Sequence, residues 1–145
     1  MLGEIIAISI NEARGQLKQP VDQAMAVANS GLMGDGHQGD WARQVTCLNY
    51  QSLIKSNEAH QLKMRAGDFA ENLLIDGLDF CIIAAGSRLR IGSEVMLEVS
   101  QVGKEDHPSI VLKTFGVSLL PQEGLFCRVI AGGLINTGDS VEVMA

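Results

Sequence analysis

The spacing of glycine constrains this chain more than any other feature of its sequence. Sixteen glycines are spread through 145 residues, and the one long stretch without them runs from Asp40 to Ala66. Glycine weakens the interior of a helix and supplies the positive φ values that tight turns need. The pattern predicts many short strands joined by tight turns, with the main helix confined to the glycine-free stretch. Aromatic residues make up only 4% of the chain. The core must therefore be built from Ile, Leu, Val, Met and Ala.

Glu4 to Ile10 sets Ile6, Ile8 and Ile10 against Ala7 and Ser9 and reads as the first strand. Val21 to Val27, Arg43 to Leu48 and Asn72 to Ile75 follow as strand candidates. Arg88 to Ile91 and Val95 to Val102 flank Gly92-Ser93 as a hairpin. Phe126 to Ile130 and Ser140 to Met144 are expected as the last strands, joined by a turn through Gly132-Gly133. Ser109 to Phe115 fits a helical turn or a strand. The helix is predicted over about Tyr50 to Met64, with Asn49 as its N-cap, Ile54 and Leu62 on one face, and Gly67 as its stop. Together these elements imply a mainly β fold, a closed or nearly closed β-barrel with one main helix and short helical turns. The length suits a single domain, expected to span residues 1–145.

The net charge of −6 argues against nucleic acid as a partner, because phosphate backbones are held by Lys and Arg. An anionic ligand would need a local cluster of cations working against the overall field. The three cysteines, Cys47, Cys81 and Cys127, lie 34 and 46 residues apart, with no spacing that suggests a disulfide framework or a structural zinc. Apolar neighbours surround each of them, so all three are expected to be buried and to act as small apolar side chains. The start, Met-Leu-Gly-Glu-Ile-Ile, has no basic region before an apolar run, and no run is long enough to span a membrane. A soluble cytoplasmic protein with no membrane partner is expected.

Candidate chemistry lies where glycine meets polar side chains. The segments are Gly34-Asp35-Gly36-His37-Gln38-Gly39, Arg43-Gln44-Val45, Gly67-Asp68-Phe69-Ala70-Glu71-Asn72 and Gly103-Lys104-Glu105-Asp106-His107. Glycine lets a backbone approach a ligand and turn its N–H groups toward it. Arg43, Lys104, His37 and His107 would supply positive charge to phosphate, carboxylate or molybdate-like oxygens. The bland readings stand beside these. Arg43 would serve equally as a structural clasp for Asp35, Asp40 or Glu71, Glu71-Asn72 would satisfy backbone groups at a turn, and Thr137-Gly138-Asp139 reads as a plain turn.

The segments occur in one order, continued by Arg88-Leu89-Arg90-Ile91-Gly92, Gly124-Leu125-Phe126-Cys127-Arg128-Val129 and Gly132-Gly133-Leu134-Ile135-Asn136-Thr137-Gly138-Asp139. This ordered set resembles the MOSC family, the module named after the C-terminal domain of molybdenum cofactor sulfurase, and is most similar to its small stand-alone bacterial members. The resemblance implies a β-barrel with a polar cleft. It also implies binding of the molybdenum cofactor (molybdopterin), or of a related pterin or oxyanion, and in some relatives the handling of sulfur on a cysteine. Molybdenum ion and pyridoxal phosphate binding belong to the same family associations. His37, Arg43, Glu71, Asn72 and Lys104 match the family's polar cleft positions.

One departure bears on mechanism. Small members usually carry Cys-His after the Gly-Lys-Glu segment, and that Cys is the expected sulfur carrier. Here Asp106 precedes His107, and Ile110 stands where a second cysteine often follows. A carboxylate cannot form a persulfide. Three readings follow. The chain is a binding module that holds the cofactor and delivers it to a molybdoenzyme or a cofactor-biosynthesis protein. It is a sulfur- or group-transfer enzyme with Asp106 and His107 as an acid–base pair. Or it is a structural or regulatory domain that lost its ligand. The missing Cys favours the first and third over the second, and the retained polar set favours the first over the third.

Overall fold

The computed structural model describes residues 2–105 and 108–144; Asp106 and His107, the two catalytic candidates, lie outside the described residues. Eleven strands alternate with few helices: β1 (Leu2–Ile10), β2 (Gln19–Val21), β3 (Gln23–Val27), β4 (Gly31–Leu32), β5 (Val45–Asn49), α1 (Tyr50–His60), β6 (Leu73–Asp76), β7 (Arg88–Ile91), β8 (Val95–Val102), α2 (Ile110–Phe115), α3 (Leu120–Glu123), β9 (Leu125–Ala131), β10 (Gly133–Asn136) and β11 (Ser140–Met144). The main sheet runs β11-β7-β8-β9-β5-β6-β1 and closes on itself through β11 and β1, giving a seven-strand barrel with β2 attached to β1. The mainly β expectation holds. Closure satisfies the edge groups that an open sheet would expose. The closing seam pairs Leu2 with Glu142 and Glu4 with Ser140. The turn at Thr137-Gly138-Asp139 fastens the seam, because Gly138 donates to Ile5 O and Ile5 donates to Asp139 O.

Strand alternation builds two cores. Cys47, Leu73, Ile75, Leu125 and Cys127 pack with Ile5, Leu97 and Val141 in the barrel interior. The neighbouring positions Leu48, Leu74 and Phe126 point the other way and pack with Leu53, Phe69, Val111 and Leu120 under the helices. Strand β5 is thus buried on both faces, while most other strands expose one. That second core, outside the barrel wall, supports the candidate site.

The expected hairpin β7–β8 forms, with Ile91 opposite Val95. Other expectations need correction. Val21 to Val27 is not one strand. It breaks at Asp22, so that β2 pairs with β1 and β3 pairs with β10. Gly132-Gly133 does not join a hairpin, because β10 follows it and leaves the barrel to form a second sheet, β10-β3-β4. The ambiguous segment is the helix α2, capped by the Ser109 hydroxyl accepting from Leu112 N. Helix α1 starts as expected, with the Asn49 side chain accepting from Gln51 N, but ends at His60 because Gln61 adopts φ 54°. Asn57 then clamps the exit, accepting from Met64 N and donating to Met64 O, each at 3.0 Å. Its buried face carries Leu53 and Ser56 rather than Ile54 and Leu62. Cys47 and Cys127 are buried and free, but Cys81 is exposed. Its short 3-10 turn, capped by Asp79, leaves the adjacent Ile82 exposed as well. Among the described residues no helix is long and apolar enough to cross a membrane.

Candidate functional site

The site begins with two loops that interlock across the barrel rim. In the first, Asn11 donates its side-chain amide to Leu17 O and its backbone N–H to Asp35. In the second, Gly36 donates to Asn11 O at 2.7 Å. A Cβ at Gly36 would stand 2.8 Å from Glu12 O, so only glycine lets the loops approach this closely. Arg14 donates to Gly36 O and lies over the Trp41 ring at 4.4 Å. Trp41 donates its indole N–H to His37 O and stacks nearly parallel to the His37 ring.

Behind His37 lies a charged pair that the sequence did not announce. Lys18 is 2% exposed, and its Nζ donates to Asp35 Oδ1 at 2.7 Å. The same Nζ lies 3.1 Å from His37 Nδ1. Asp35 Oδ2 accepts the His37 backbone N–H. Burial by itself would raise the Asp35 carboxyl, but the neighbouring His37 side chain and the hydrogen bond and charge of Lys18 hold it far below the usual carboxylate range.

The loop after α1 forms the next wall. Gly67 has φ +88°, and a Cβ there would meet Lys18 O at 2.1 Å. Lys18 N in turn donates to Gly67 O. Glu71 is fully buried, with Oε2 accepting from Gly67 N and Oε1 from Phe69 N. Burial pushes its carboxyl up to about 7, although those backbone bonds pull the other way. Asn72 bridges two strands, β5 and β1, since its side chain accepts from Thr46 N and donates to Ser9 O. Glu71 and Asn72 thus stand behind the wall, where they fix the loop that presents Phe69 and Ala70.

A cavity of about 490 Å³ opens between the outer face of β5 and β9 and the helices α2 and α3. His37, Thr46, Phe69, Lys104 and Phe126 line one side, and Ser109, Ile110, Val111 and Leu120 the other. The Phe126 ring carries two cations: Arg43 Cζ lies 5.2 Å from its centroid and Lys104 Nζ 5.8 Å. Arg43 also donates to Gln101 at 3.4 Å. The clasp to Asp35, Asp40 or Glu71 does not form: Asp35 takes Lys18, Asp40 pairs with Arg128, and Glu71 takes backbone. Lys104 is fixed by its own N–H to Pro121 O. Burial lowers its pKa, and the nearby Arg43 charge lowers it further.

A family model described as the MOSC domain matches residues 34–142. The chain belongs to the MOSC domain family. Solved structures carry the same fold over the full length. The YuaD protein from Bacillus subtilis superposes with a TM-score of 0.79 at 18% identity, covering 99% of this chain and 96% of that one. YiiM from Geobacillus stearothermophilus gives 0.76 at 18% identity, covering 99% and 75%. YiiM from Escherichia coli gives 0.71 at 21%, covering 98% and 70%. No curated protein matches the chain in sequence.

In this MOSC domain the structure places the sequence candidates in two tiers. His37, Arg43 and Lys104 meet at the cavity or on the ring that forms its wall, although 67 residues separate the first from the last. Glu71 and Asn72 hold its frame. Lys104 and Pro108, which flank Asp106 and His107, both line the cavity. Sequence reasoning missed Lys18, Phe126 and Gln101. For Lys18 no signal existed, since a lysine in a polar stretch reads as solvent-exposed. For Phe126 there was one: it is an aromatic residue in a chain poor in them. Among the described residues no cluster of His, Cys, Asp and Glu could hold a metal ion.

Proposed function

We propose that this MOSC domain is a binding module for the molybdenum cofactor or a related phosphate-bearing pterin or tetrahedral oxyanion, which it holds without turnover and passes to a partner molybdoenzyme or cofactor-biosynthesis protein. One observation carries the reading: Arg43 and Lys104 both lie at the Phe126 ring, close enough that the Arg43 charge lowers the Lys104 pKa. Two cations drawn together and partly dehydrated repel each other unless an anion sits between them. The fit extends to the whole ligand. The cavity volume lies in the ordinary range for small-molecule sites. The Ile110–Val111–Leu120 side offers an apolar bed for a ring, opposite a cationic side for a phosphate.

Calorimetric titration with inorganic phosphate, molybdate and molybdopterin tests this, the last under anaerobic conditions. Arg43→Ala is expected to weaken binding about ten- to a hundredfold, the loss of one charge-assisted hydrogen bond, with the thermal melt nearly unchanged. Unchanged affinity in the folded variant, with a lower melting temperature, would assign Arg43 to structure and remove the basis for the site. Group transfer with Asp106 and His107 as an acid–base pair is the second reading, supported by the flanking Lys104 and Pro108 in the cavity wall. Turnover of bound cofactor that is abolished by His107→Gln would favour it.

A further inference from the structure

We propose that Lys18 is a positioning residue that sets the tautomer of His37, so that His37 presents Nε2–H to the cavity and the site favours oxygens that carry no proton of their own. This rests on the anion-binding reading above. Lys18 Nζ has no acceptor capacity, because an ammonium carries only donors. It gives one N–H to Asp35 Oδ1 at 2.7 Å and reaches His37 Nδ1 at 3.1 Å. That second contact is a hydrogen bond only if Nδ1 carries a lone pair, which leaves the ring proton on Nε2. The alternative has Nδ1–H donating to Asp35 Oδ2, but that separation is 3.6 Å, beyond a useful hydrogen bond. Lys18 cannot turn away, since it is buried and its ammonium is held by Asp35. Asp35 is held in turn by the backbone N–H groups of Asn11 and His37.

The consequence is a specificity. Nδ1 faces the buried pair, so Nε2 is the nitrogen left for the cavity that His37 lines. As Nε2–H it donates, as do Arg43 and Lys104. Three basic side chains that all donate suit fully deprotonated tetrahedral dianions. With the other tautomer, Nε2 would accept, and the site would prefer an anion that keeps a hydroxyl.

Two measurements test this. Ring ¹⁵N spectra of the histidines, with His37 assigned through His37→Gln, should show His37 with its proton on Nε2 in the wild type. In the charge-neutral double variant Lys18→Met/Asp35→Asn that form should lose its dominance. Sulfate, which carries no proton near neutral pH, and inorganic phosphate are the binding probes. Sulfate affinity is expected to fall about tenfold in the double variant, one lost hydrogen bond to a charged group, and phosphate affinity to fall less. A wild-type His37 protonated on Nδ1 would overturn the proposal, and this arm holds even where the variant does not fold. A folded variant that keeps the Nε2–H form and wild-type sulfate affinity would also overturn it. If His37 shows Nε2–H and responds to the variant while neither anion binds the wild type, the tautomer assignment stands and the binding reading falls.

Discussion

Two cations at one aromatic ring make a testable electrostatic device. Lys104 attracts an anion only while it is protonated. Burial and the Arg43 charge both lower its pKa from the ordinary lysine range, so its charge is lost at a lower pH than a free lysine would allow. Anion affinity should therefore fall on the alkaline side earlier than for a surface lysine. Arg43→Ala removes one of the two causes, and the alkaline edge should move back to higher pH even though overall affinity drops. Titrations at several pH values above neutrality, on the wild type and the variant, would show it. An edge that stays in place would mean that the two charges do not feel each other. At this scale the sequence was partly legible. Arg43, Lys104 and His37 were visible as cations beside glycines. Lys18 was not, because its burial depends on Asp35, which is 17 residues away and arrives only when the two loops interlock. Cys81 was misread for the opposite reason: its apolar neighbour Ile82 is itself exposed.

Elements were legible where local chemistry decides and opaque where a distant partner does. The β7–β8 hairpin is dictated by its own alternation and its glycine turn. The length of α1 is not, because Asn57 ends it by reaching forward to both backbone groups of Met64. Asn57→Ala should cost about 1–3 kcal/mol for two hydrogen bonds to partly buried backbone, measured by denaturant unfolding, and a loss near zero would deny the clamp. The strand β10 was invisible because its pairing with β3 spans more than a hundred residues of chain. Gly67 shows how one position joins elements. It was expected to stop the helix, and it serves instead where the α1–β6 loop presses on Lys18. Gly67→Ala combines a positive φ with a Cβ at 2.1 Å from the backbone carbonyl oxygen of Lys18. A loss of at least about 2 kcal/mol is expected, together with weaker anion binding, because Lys18 and Phe69 both lean on this loop. A variant as stable as the wild type would show that the loop shifts freely.

Across the whole molecule, two buried carboxyl groups pull stability in opposite directions as pH changes. Asp35 has its native pKa depressed by the neighbouring His37 side chain and by the bond and charge of Lys18. It binds its proton more readily in the unfolded chain, so it stabilises the fold above the ordinary aspartate value of about 3.9, and that contribution is lost as the pH falls. Glu71 is the reverse: burial raises its pKa from 4.5 to about 7. Between those values the native state holds a proton that the unfolded chain has released. Its contribution is complete below about 4.5 and is lost as the pH rises through about 7. The melting temperature should therefore peak at mildly acidic pH and decline toward neutrality. The growing negative charge above the pI of about 4.9 acts in the same direction through self-repulsion, so the wild-type curve alone cannot apportion the decline. Glu71→Gln separates the two. It removes one titrating group while leaving the rest of the surface charge in place. The amide turns an N–H₂ toward one of the two backbone donors, so the variant should be less stable than the wild type at pH 5 by about 1–3 kcal/mol. The difference should shrink steadily toward pH 7, as the wild type alone is forced to ionise a buried group. Melts of both proteins from pH 4 to pH 8 read this directly. A gap that widens with pH would mean that the Gly67 and Phe69 N–H groups favour the carboxylate more than burial disfavours it. Glu71 would then hold the site wall as a charged anchor.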